Sequence, residues 1–576
     1  PPSSLFSTPP LSSVPLPRSA MRAPLSLLAL HLSTSSCSEC MGAPCSPLNQ
    51  QCSMPFASAP IFHLMDQRGC RENDPNGPVF DPVHGVFHHF YQIHLAASPG
   101  HGPDYGHLVS KDFVHWAPMP VAIWNGLDVS VSPPKVTAYD NMAIYTGSAV
   151  VVEGGGPGGK GLGIVQIYPG LCRRSDWPAC STGTLLAQAV PADYAGDELL
   201  TNWTKPAYNP IVEGAQRDPA TPWRTSKGEW RLRTFDARVY TAASDADLLA
   251  GTWSEVGRAA DFIVAECPSF YPLPGPSPGT EREYSRLAAA GALPTHVHKV
   301  SGGIRGGVDF WQIGTYREGA PNTTGSFKPT PGWEELYSLR VIDMGHFYAS
   351  KDAEYPSRAG GPSRRINWGW ATVPPKSTQT LPRVITFNAM ARTLEQAPAP
   401  ELEALRGTPQ TFLSRTITAK RTEGLGLAPD MLSTSEISLY FEPPSVATRF
   451  GVRFTEPQPT GNAPASMECT FDLIPTVIPA SPRNVSVSCG SFTDSFRLLP
   501  SEKNVSLRVF ADVTFIEAYF HGGRVAITQI YPFSSMTQLS IFTSSAPVHV
   551  SQMSIYPMRS IWTTSDEVRR QPRIYN

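Results

Sequence analysis

Apolar and polar positions alternate over short distances along most of this chain. Between about residues 58 and 395 almost no 3.6-residue periodicity is sustained. Runs such as Val86-Phe87-His88-His89-Phe90-Tyr91 and Met142-Ala143-Ile144-Tyr145 are instead separated by Gly, Pro, Asn and Asp. Such runs predict short strands, because successive side chains of a strand point to opposite faces and the punctuating residues supply turn conformations. From about residue 426 the same pattern returns. Ile437-Ser438-Leu439-Tyr440-Phe441 and Val505-Ser506-Leu507-Arg508-Val509-Phe510 are its clearest strands, and Gly522-Gly523 is a turn signal. Between the two blocks, Leu394, Leu402 and Leu405 with Glu401, Glu403 and Arg406 predict a short helix crossing from one domain to the next.

A loose repeat runs through the first block. Ser110-Lys111-Asp112 precedes Trp116, Ser244-Asp245 precedes Trp253, and Ser350-Lys351-Asp352 precedes Trp368, while Asn202-Trp203 opens a fourth such segment. A hairpin whose turn is rich in Ser and Asp, followed by a strand carrying a Trp, accounts for the spacing. Hairpins recurring over several hundred residues suit a β-propeller, in which each blade buries its face against the next. Coincidence among common residues is the competing reading, so the repeat alone does not decide the fold. The second block is most simply a β-sandwich. The expected organisation is a leader over 1–57, a β-propeller over 58–395, a linker with a short helix over 396–425 and a β-sandwich over 426–576.

Composition narrows the functions open to such a chain. With 576 residues it exceeds one ordinary core, and at 16 % charged residues with a formal net charge of −2 it offers no electrostatic case for nucleic acid or an anionic membrane. The ten cysteines show no zinc-ligand spacing beyond a lone Cys37/Cys40 pair. Four glycosylation sequons begin at Asn202, Asn322, Asn484 and Asn504. Near the start, Met21-Arg22 precedes the apolar run 25–32 and the small residues Ser33 to Ser36, the layout of a secretory signal peptide. A buried helix is the competing reading of that run, which is too short to span a bilayer. These features predict a secreted, extracellular protein, with the vacuole as the alternative. From spacing alone, Cys172–Cys180 and Cys469–Cys489 are the expected local disulfides. The glycine-rich stretch Gly154 to Gly161 lacks the Lys-Ser/Thr ending of a phosphate loop and reads as a flexible loop. His88, His89 and His115 alternate with apolar residues and read as structural or rim residues rather than metal ligands.

Three carboxylates stand in constrained settings. Asp74 lies in Glu72-Asn73-Asp74-Pro75-Asn76-Gly77-Pro78, which by itself is only a good turn. Asp218 lies in Arg217-Asp218-Pro219, where the adjacent Arg217 is placed to hold a carboxylate ionised. Glu266 ends the apolar run Phe262-Ile263-Val264-Ala265, where desolvation would raise its pKa as a general acid requires.

Together and in this order, over about residues 60–576, these segments resemble glycoside hydrolase family 32, the invertases, fructan hydrolases and fructosyltransferases. Asn73-Asp74-Pro75-Asn76-Gly77, Arg217-Asp218-Pro219 and Glu266-Cys267-Pro268 resemble the family's three acidic motifs. Gly106-His107 through Asp112, Tyr145-Thr146-Gly147-Ser148-Ala149, Phe347-Tyr348-Ala349-Ser350-Lys351 and Trp368-Gly369-Trp370 are similar to segments between them, and Phe515 to Phe520 before Gly522-Gly523-Arg524 is similar to a strand pair of the second domain. The resemblance implies an all-β protein, a five-bladed β-propeller followed by a C-terminal β-sandwich. It implies that Asp74 is the nucleophile toward the anomeric carbon of a fructosyl unit and that Glu266 is the acid/base. Asp218 would stabilise the transition state beside Arg217, and Asn73, Gln92, Tyr145 and Thr146 would line the fructose subsite. It implies a sucrose or fructan substrate and no metal or organic cofactor, and leaves the oligomeric state open.

The chain departs from the family at several positions. Arg71-Glu72 stands where an aromatic and Met are common, and an extra charge there would alter subsite contacts or pH dependence. Tyr105 and Tyr145-Thr146 replace a Trp and a Trp-Ser pair, and Ala265 replaces the Trp before the acid/base motif. All three carboxylates are present, which favours an enzyme over a non-catalytic carbohydrate-binding propeller. Hydrolysis and fructosyl transfer share one intermediate and differ only in the acceptor, so both remain open.

Overall fold

The computed structural model describes residues 58–576 except 96–97, 101, 181–182, 303–306, 331–339, 429–430, 457–465, 475–480 and 532–535. The signal-peptide and leader expectations lie outside these residues. Five antiparallel sheets follow one another along the first domain. The first is ordered Arg71–Pro75, Val86–His94, Asp104–Ser110 and Ala117–Ile123, and the second is built around Leu162–Leu171, with Ser148–Glu153 and Thr184–Pro191 on either side of it. The third runs from Trp223–Arg224 to Ser254–Arg258 and the fourth from Glu266–Pro272 to Ser326–Pro329. The fifth is ordered Phe347–Tyr355, Arg364–Ala371, Arg383–Asn388 and Thr393–Pro398. Each is a blade of a five-bladed propeller, and successive blades bury apolar faces against each other. Between the second and third blades, for instance, Val150, Val152 and Ile167 pack with Leu232, Tyr240 and Trp253. Phe347–Tyr355 of the fifth blade packs against both Arg71–Pro75 of the first and Glu266–Pro272 of the fourth. Three segments distant in sequence thus meet near the propeller axis.

The second domain is a sandwich of two six-stranded sheets. The alternation noted in Ile437 to Phe441 is the reason: Ile437, Leu439 and Phe441 are fully buried and face Phe450, Val452 and Phe454 of the other sheet. Disulfides join Cys172 to Cys180 in the second blade and Cys469 to Cys489 across a strand pair of the sandwich.

The segment 396–425 differs from the linker expected of it. Thr393–Pro398 completes the fifth blade and Pro400–Leu405 is a single 3-10 helix. Gln410–Ile417 and Thr422–Gly424 are already edge strands, one in each sandwich sheet. An edge strand contributes few side chains to the core, here Ile417 and part of Phe412, so its apolar signal is faint while Leu413 is left 70 % exposed. The C-terminus also departs from expectation. After Val548–Pro557 the chain returns to the propeller, where Trp562 bridges to Trp116 and Tyr575 is buried edge-on to Phe87. A lone aromatic docking outside the sandwich leaves no periodic trace in sequence.

The Ser-Asp repeat is uneven in three dimensions. Ser110 and Asp112 cap a hairpin turn before Trp116 as expected. Ser244 instead caps the short helix Asp245–Leu249, and Ser350-Lys351-Asp352 lies inside the innermost strand of the fifth blade. His88, His89 and His107 are buried, with His88 Nδ1 2.9 Å from His107 Nε2, and among the described residues no group of side chains is arranged to hold a metal ion.

Candidate active site

Each expected carboxylate sits on an irregularity of the backbone. Asp74 lies where the pairing of Arg71–Pro75 with Val86–His94 shifts register between Glu72 and Pro75. Asp218 has φ +59°. Glu266 begins its strand at a register shift that ends at Ser269, with Cys267 at φ +45°. A bulge re-aims a side chain that regular pleating would direct elsewhere, and positive φ in residues other than Gly persists only where the surroundings impose it.

Side chains from the first, second, fourth and fifth blades, with Asp218 from the segment before the third, meet at one point. Thr146 Oγ donates to Asp74 Oδ2 and accepts from Gln92 Nε2 at 2.7 Å. The Cys267 amide donates to Asp218 Oδ2 at 3.1 Å, and its thiol lies 3.6 Å from Asp74 Oδ2 and 3.9 Å from Asp218 Oδ2. Arg217 donates to Glu266 through Nη2, with its Nε 3.7 Å from Asp218, and its guanidinium rests on the Phe235 ring at 4.7 Å. Tyr348 donates to Glu266 Oε2 at 2.7 Å.

Of the expected site residues, Asp74, Asp218, Glu266, Arg217, Thr146 and Gln92 form one connected set. Asn73 turns its side-chain oxygen to His94 Nε2 at 3.2 Å, and its carbonyl accepts from Gln379 at 2.8 Å. Tyr145 is half-buried next to Thr146, its carbonyl accepting from Tyr105 at 2.6 Å. Two contributors had no role assigned from sequence. In sequence Cys267 is only a neighbour of Glu266, and Tyr348 only part of a blade segment.

The electrostatics differ from the sequence expectation. At Asp74, burial, reinforced by the charges of Asp218 and Glu266, pushes the pKa up to about 7 against the hydrogen bonds of Thr146 and Cys267. Glu266 keeps 34 % of its side chain exposed beside Arg217, because the run before it does not enclose it; Val264 itself is 46 % exposed. Asp218 is also raised by burial, which outweighs the opposing pull of the Cys267 amide and Arg217. Arg217 therefore pulls its neighbour down as the sequence suggested, but with its short contact spent on Glu266 it does not overcome the burial. Glu72 shares the strand Arg71–Pro75 with Asp74. It is fully buried, accepts from the Asp66 amide at 2.6 Å and from Gln379 at 2.9 Å, and burial raises its pKa well above the usual range. Two buried carboxyls of raised pKa beside a half-exposed carboxyl on an Arg form the kind of set that divides nucleophile and acid/base roles.

Comparison with known proteins agrees with this architecture. The profile "Glycosyl hydrolases family 32 N-terminal domain" matches residues 63–401, and "Glycosyl hydrolases family 32 C terminal" matches residues 401–557. The chain is 28 % identical over 365 residues to "Beta-fructofuranosidase, insoluble isoenzyme 1" of Daucus carota, an alignment covering 59 % of this chain and 55 % of that protein. It is 29 % identical over 382 residues to "Fructan 6-exohydrolase" of Triticum aestivum, covering 60 % of this chain and 58 % of the other. The chain thus spans a little over half the length of these relatives. In three dimensions it is similar to fructan 1-exohydrolase IIa from Cichorium intybus, with TM-score 0.66 and 22 % identity over 88 % of this chain and 98 % of that one, a likeness of fold.

Proposed function

Because the chain belongs to glycoside hydrolase family 32, we propose that it cleaves the β-fructofuranosidic bond of sucrose or a fructan with retention of configuration. The observation that carries this reading is the convergence of Asp74, Asp218 and Glu266 through Thr146, Cys267 and Arg217. Asp74 attacks the anomeric carbon of the fructosyl unit, forming an ester as the glycosidic bond breaks. Glu266 gives its proton to the departing oxygen. It then takes a proton from the incoming water, whose oxygen displaces Asp74. Two displacements, each inverting the anomeric carbon, give net retention. Asp218 does not react; it holds fructose hydroxyls as positive charge develops on the ring, so its contacts strengthen in the transition state. Asn73, Gln92, Tyr145, Thr146 and Arg217 line the fructose subsite, and no metal or organic cofactor takes part.

The test is the anomeric form of the fructose, or of a methanol adduct, at the first moment of release. Retention is expected, and Asp74→Ala leaves almost no turnover. An inverted first product, or near-normal kcat in Asp74→Ala, overturns the reading. Tri- or longer saccharides formed at high sucrose would reassign the water's place to a sugar acceptor, with the same intermediate.

The two disulfides and the exposure of Asn202, Asn322, Asn484 and Asn504 support a secreted glycoprotein. Treatment with an N-glycan-releasing enzyme is expected to lower the mass of protein from its native source. An unchanged mass together with fully reduced cysteines counts against secretion.

A further inference from the structure

Three charged side chains lie buried near the propeller axis beside the carboxylates: Lys299, Asp309 and Lys351, exposed by 2 %, 0 % and 1 %. Burying a charge is unfavourable unless its partners are well placed, and a Met of similar volume would fill a lysine's space without that penalty. Their partners are therefore informative. Lys299 Nζ is 3.4 Å from Asp309 Oδ2 and donates to the Cys267 carbonyl at 2.8 Å, to Ser301 Oγ at 3.3 Å and to the Ser350 carbonyl. Asp309 accepts from the amides of Ala349 at 3.1 Å and Ser350 at 2.8 Å. The ion pair thus grips Ala349-Ser350 by its amides and by a carbonyl. That segment is where the innermost strand of the fifth blade shifts register, with Ala349 at φ +51°. The bulge re-aims the strand between Tyr348, which donates to Glu266 Oε2, and Lys351. The Cys267 carbonyl held by Lys299 belongs to the residue after Glu266.

Lys351 does separate work. Its Nζ donates to the Pro219 carbonyl at 3.0 Å and to Ser148 Oγ at 3.1 Å, while Ser148 Oγ itself donates to the Pro219 carbonyl at 2.6 Å. Pro219 follows Asp218, whose positive φ needs an external restraint.

We infer that these buried charges are positioning residues divided between two carboxylates: the Lys299–Asp309 pair sets Glu266, through Tyr348 and the Cys267 carbonyl, and Lys351 sets Asp218, through the Pro219 carbonyl. The inference rests on the roles proposed for Glu266 and Asp218. A merely structural role would reduce turnover of every substrate alike. A division of labour makes the losses depend on the leaving group.

The experiment compares kcat/KM for a natural glycoside (sucrose, or inulin where sucrose is not turned over) with that for an aryl β-fructofuranoside, whose nitrophenol leaving group needs little protonation. General-acid catalysis is worth on the order of 10²–10⁴-fold. Asp309→Asn and Lys299→Met are therefore expected to lose about tenfold or more on the natural glycoside and several-fold less on the aryl glycoside, as Glu266→Ala does. Lys351→Met is expected to lose similarly on both, as Asp218→Asn does, and to add little to the loss of Asp218→Asn in the double variant, whereas a merely structural role would add its full loss there. Equal losses on both substrates for folded Asp309→Asn overturn the assignment of the pair, and a loss confined to the natural glycoside in Lys351→Met overturns that of Lys351. If Lys299→Met does not fold, the isosteric Asp309→Asn carries the test of the pair; Lys351→Gln stands in likewise for Lys351→Met. Absence of aryl rescue in Glu266→Ala would instead overturn the acid/base role, a failure distinct from the previous two.

Discussion

At the scale of single residues, the site turns on how a buried carboxyl is kept usable. In the proposed mechanism Asp74 must be ionised to attack, yet burial and its acidic neighbours place its pKa at about 7. Below about pH 7 the neutral form gains population, so kcat/KM is expected to fall as pH drops. The limb belongs to the interacting carboxyls together rather than to one of them. Thr146 opposes the shift by donating to Asp74. Thr146→Val removes that donor at nearly constant shape and also leaves Gln92 without its acceptor. The acidic limb of the kcat/KM profile is then expected to move to higher pH, with activity lost mainly on the acid side. An unmoved limb with a uniform loss would assign Thr146 to sugar contact alone.

At the scale of elements, the turn after Asp74 depends on one glycine. Gly77 has φ +55°, and a Cβ there would come within 2.4 Å of Gln166 Oε1 and 2.6 Å of the Ala149 amide nitrogen. The first blade's turn is therefore pressed against the second blade, where Gln166 also donates to the Gly77 carbonyl at 3.2 Å. Gly77→Ala meets both an unfavourable φ and a backbone clash. It is expected to cost about 1–3 kcal/mol, the range of overpacking substitutions, and to reduce kcat by displacing Asp74. Thermal unfolding and initial rates check both effects; parent-like values in each would mean that the turn has slack.

At the scale of the whole molecule, a buried charge network joins propeller and sandwich. Arg383 of the fifth blade donates to Glu517 of the sandwich at 2.7 Å and to Asp343 at 2.8 Å. His63, before the first blade, reaches Asp512 at 2.8 Å and Glu517 at 3.0 Å. Glu517, on the sandwich strand Phe515–Phe520, is fully buried in this lock. Removing one member of a buried pair leaves the other uncompensated, so Glu517→Gln is expected to cost about 3–5 kcal/mol of stability. The folded fraction should keep its kcat; a loss as deep as that of Asp74→Asn in folded protein would refute this role. The pH window has two edges. Arg383 and His63 draw the Glu517 pKa from 4.5 down to about 2, so its stabilisation is complete above about pH 4.5 and lost as pH falls toward 2. Asp512 and Glu517 raise His63 above 6.5 despite its burial, so its stabilisation is complete below about pH 6.5 and lost as pH rises through the higher folded value. Unfolding free energy is expected to peak between these edges, and Glu517→Gln to lose the acid edge while Asp512 keeps part of the His63 edge.

The sequence by itself determined the β character of both domains, because alternation and turn chemistry are local properties written into adjacent residues. It also singled out the acidic positions, because Asp74-Pro75-Asn76-Gly77, Arg217-Asp218-Pro219 and Glu266-Cys267-Pro268, each ordinary alone, occur together in the order of the family's motifs. It misread the segment 410–424, whose edge strands bury too little to leave a pattern. Only the tertiary structure decided which carboxyl is desolvated, which acid Arg217 grips, and that Cys267 and Tyr348 join the site. These depend on contacts between blades, such as the thiol of Cys267 beside Asp74, 193 residues away in sequence. Burial and Coulomb interaction fall off with distance through space, and no spacing along the chain encodes that distance until the propeller closes.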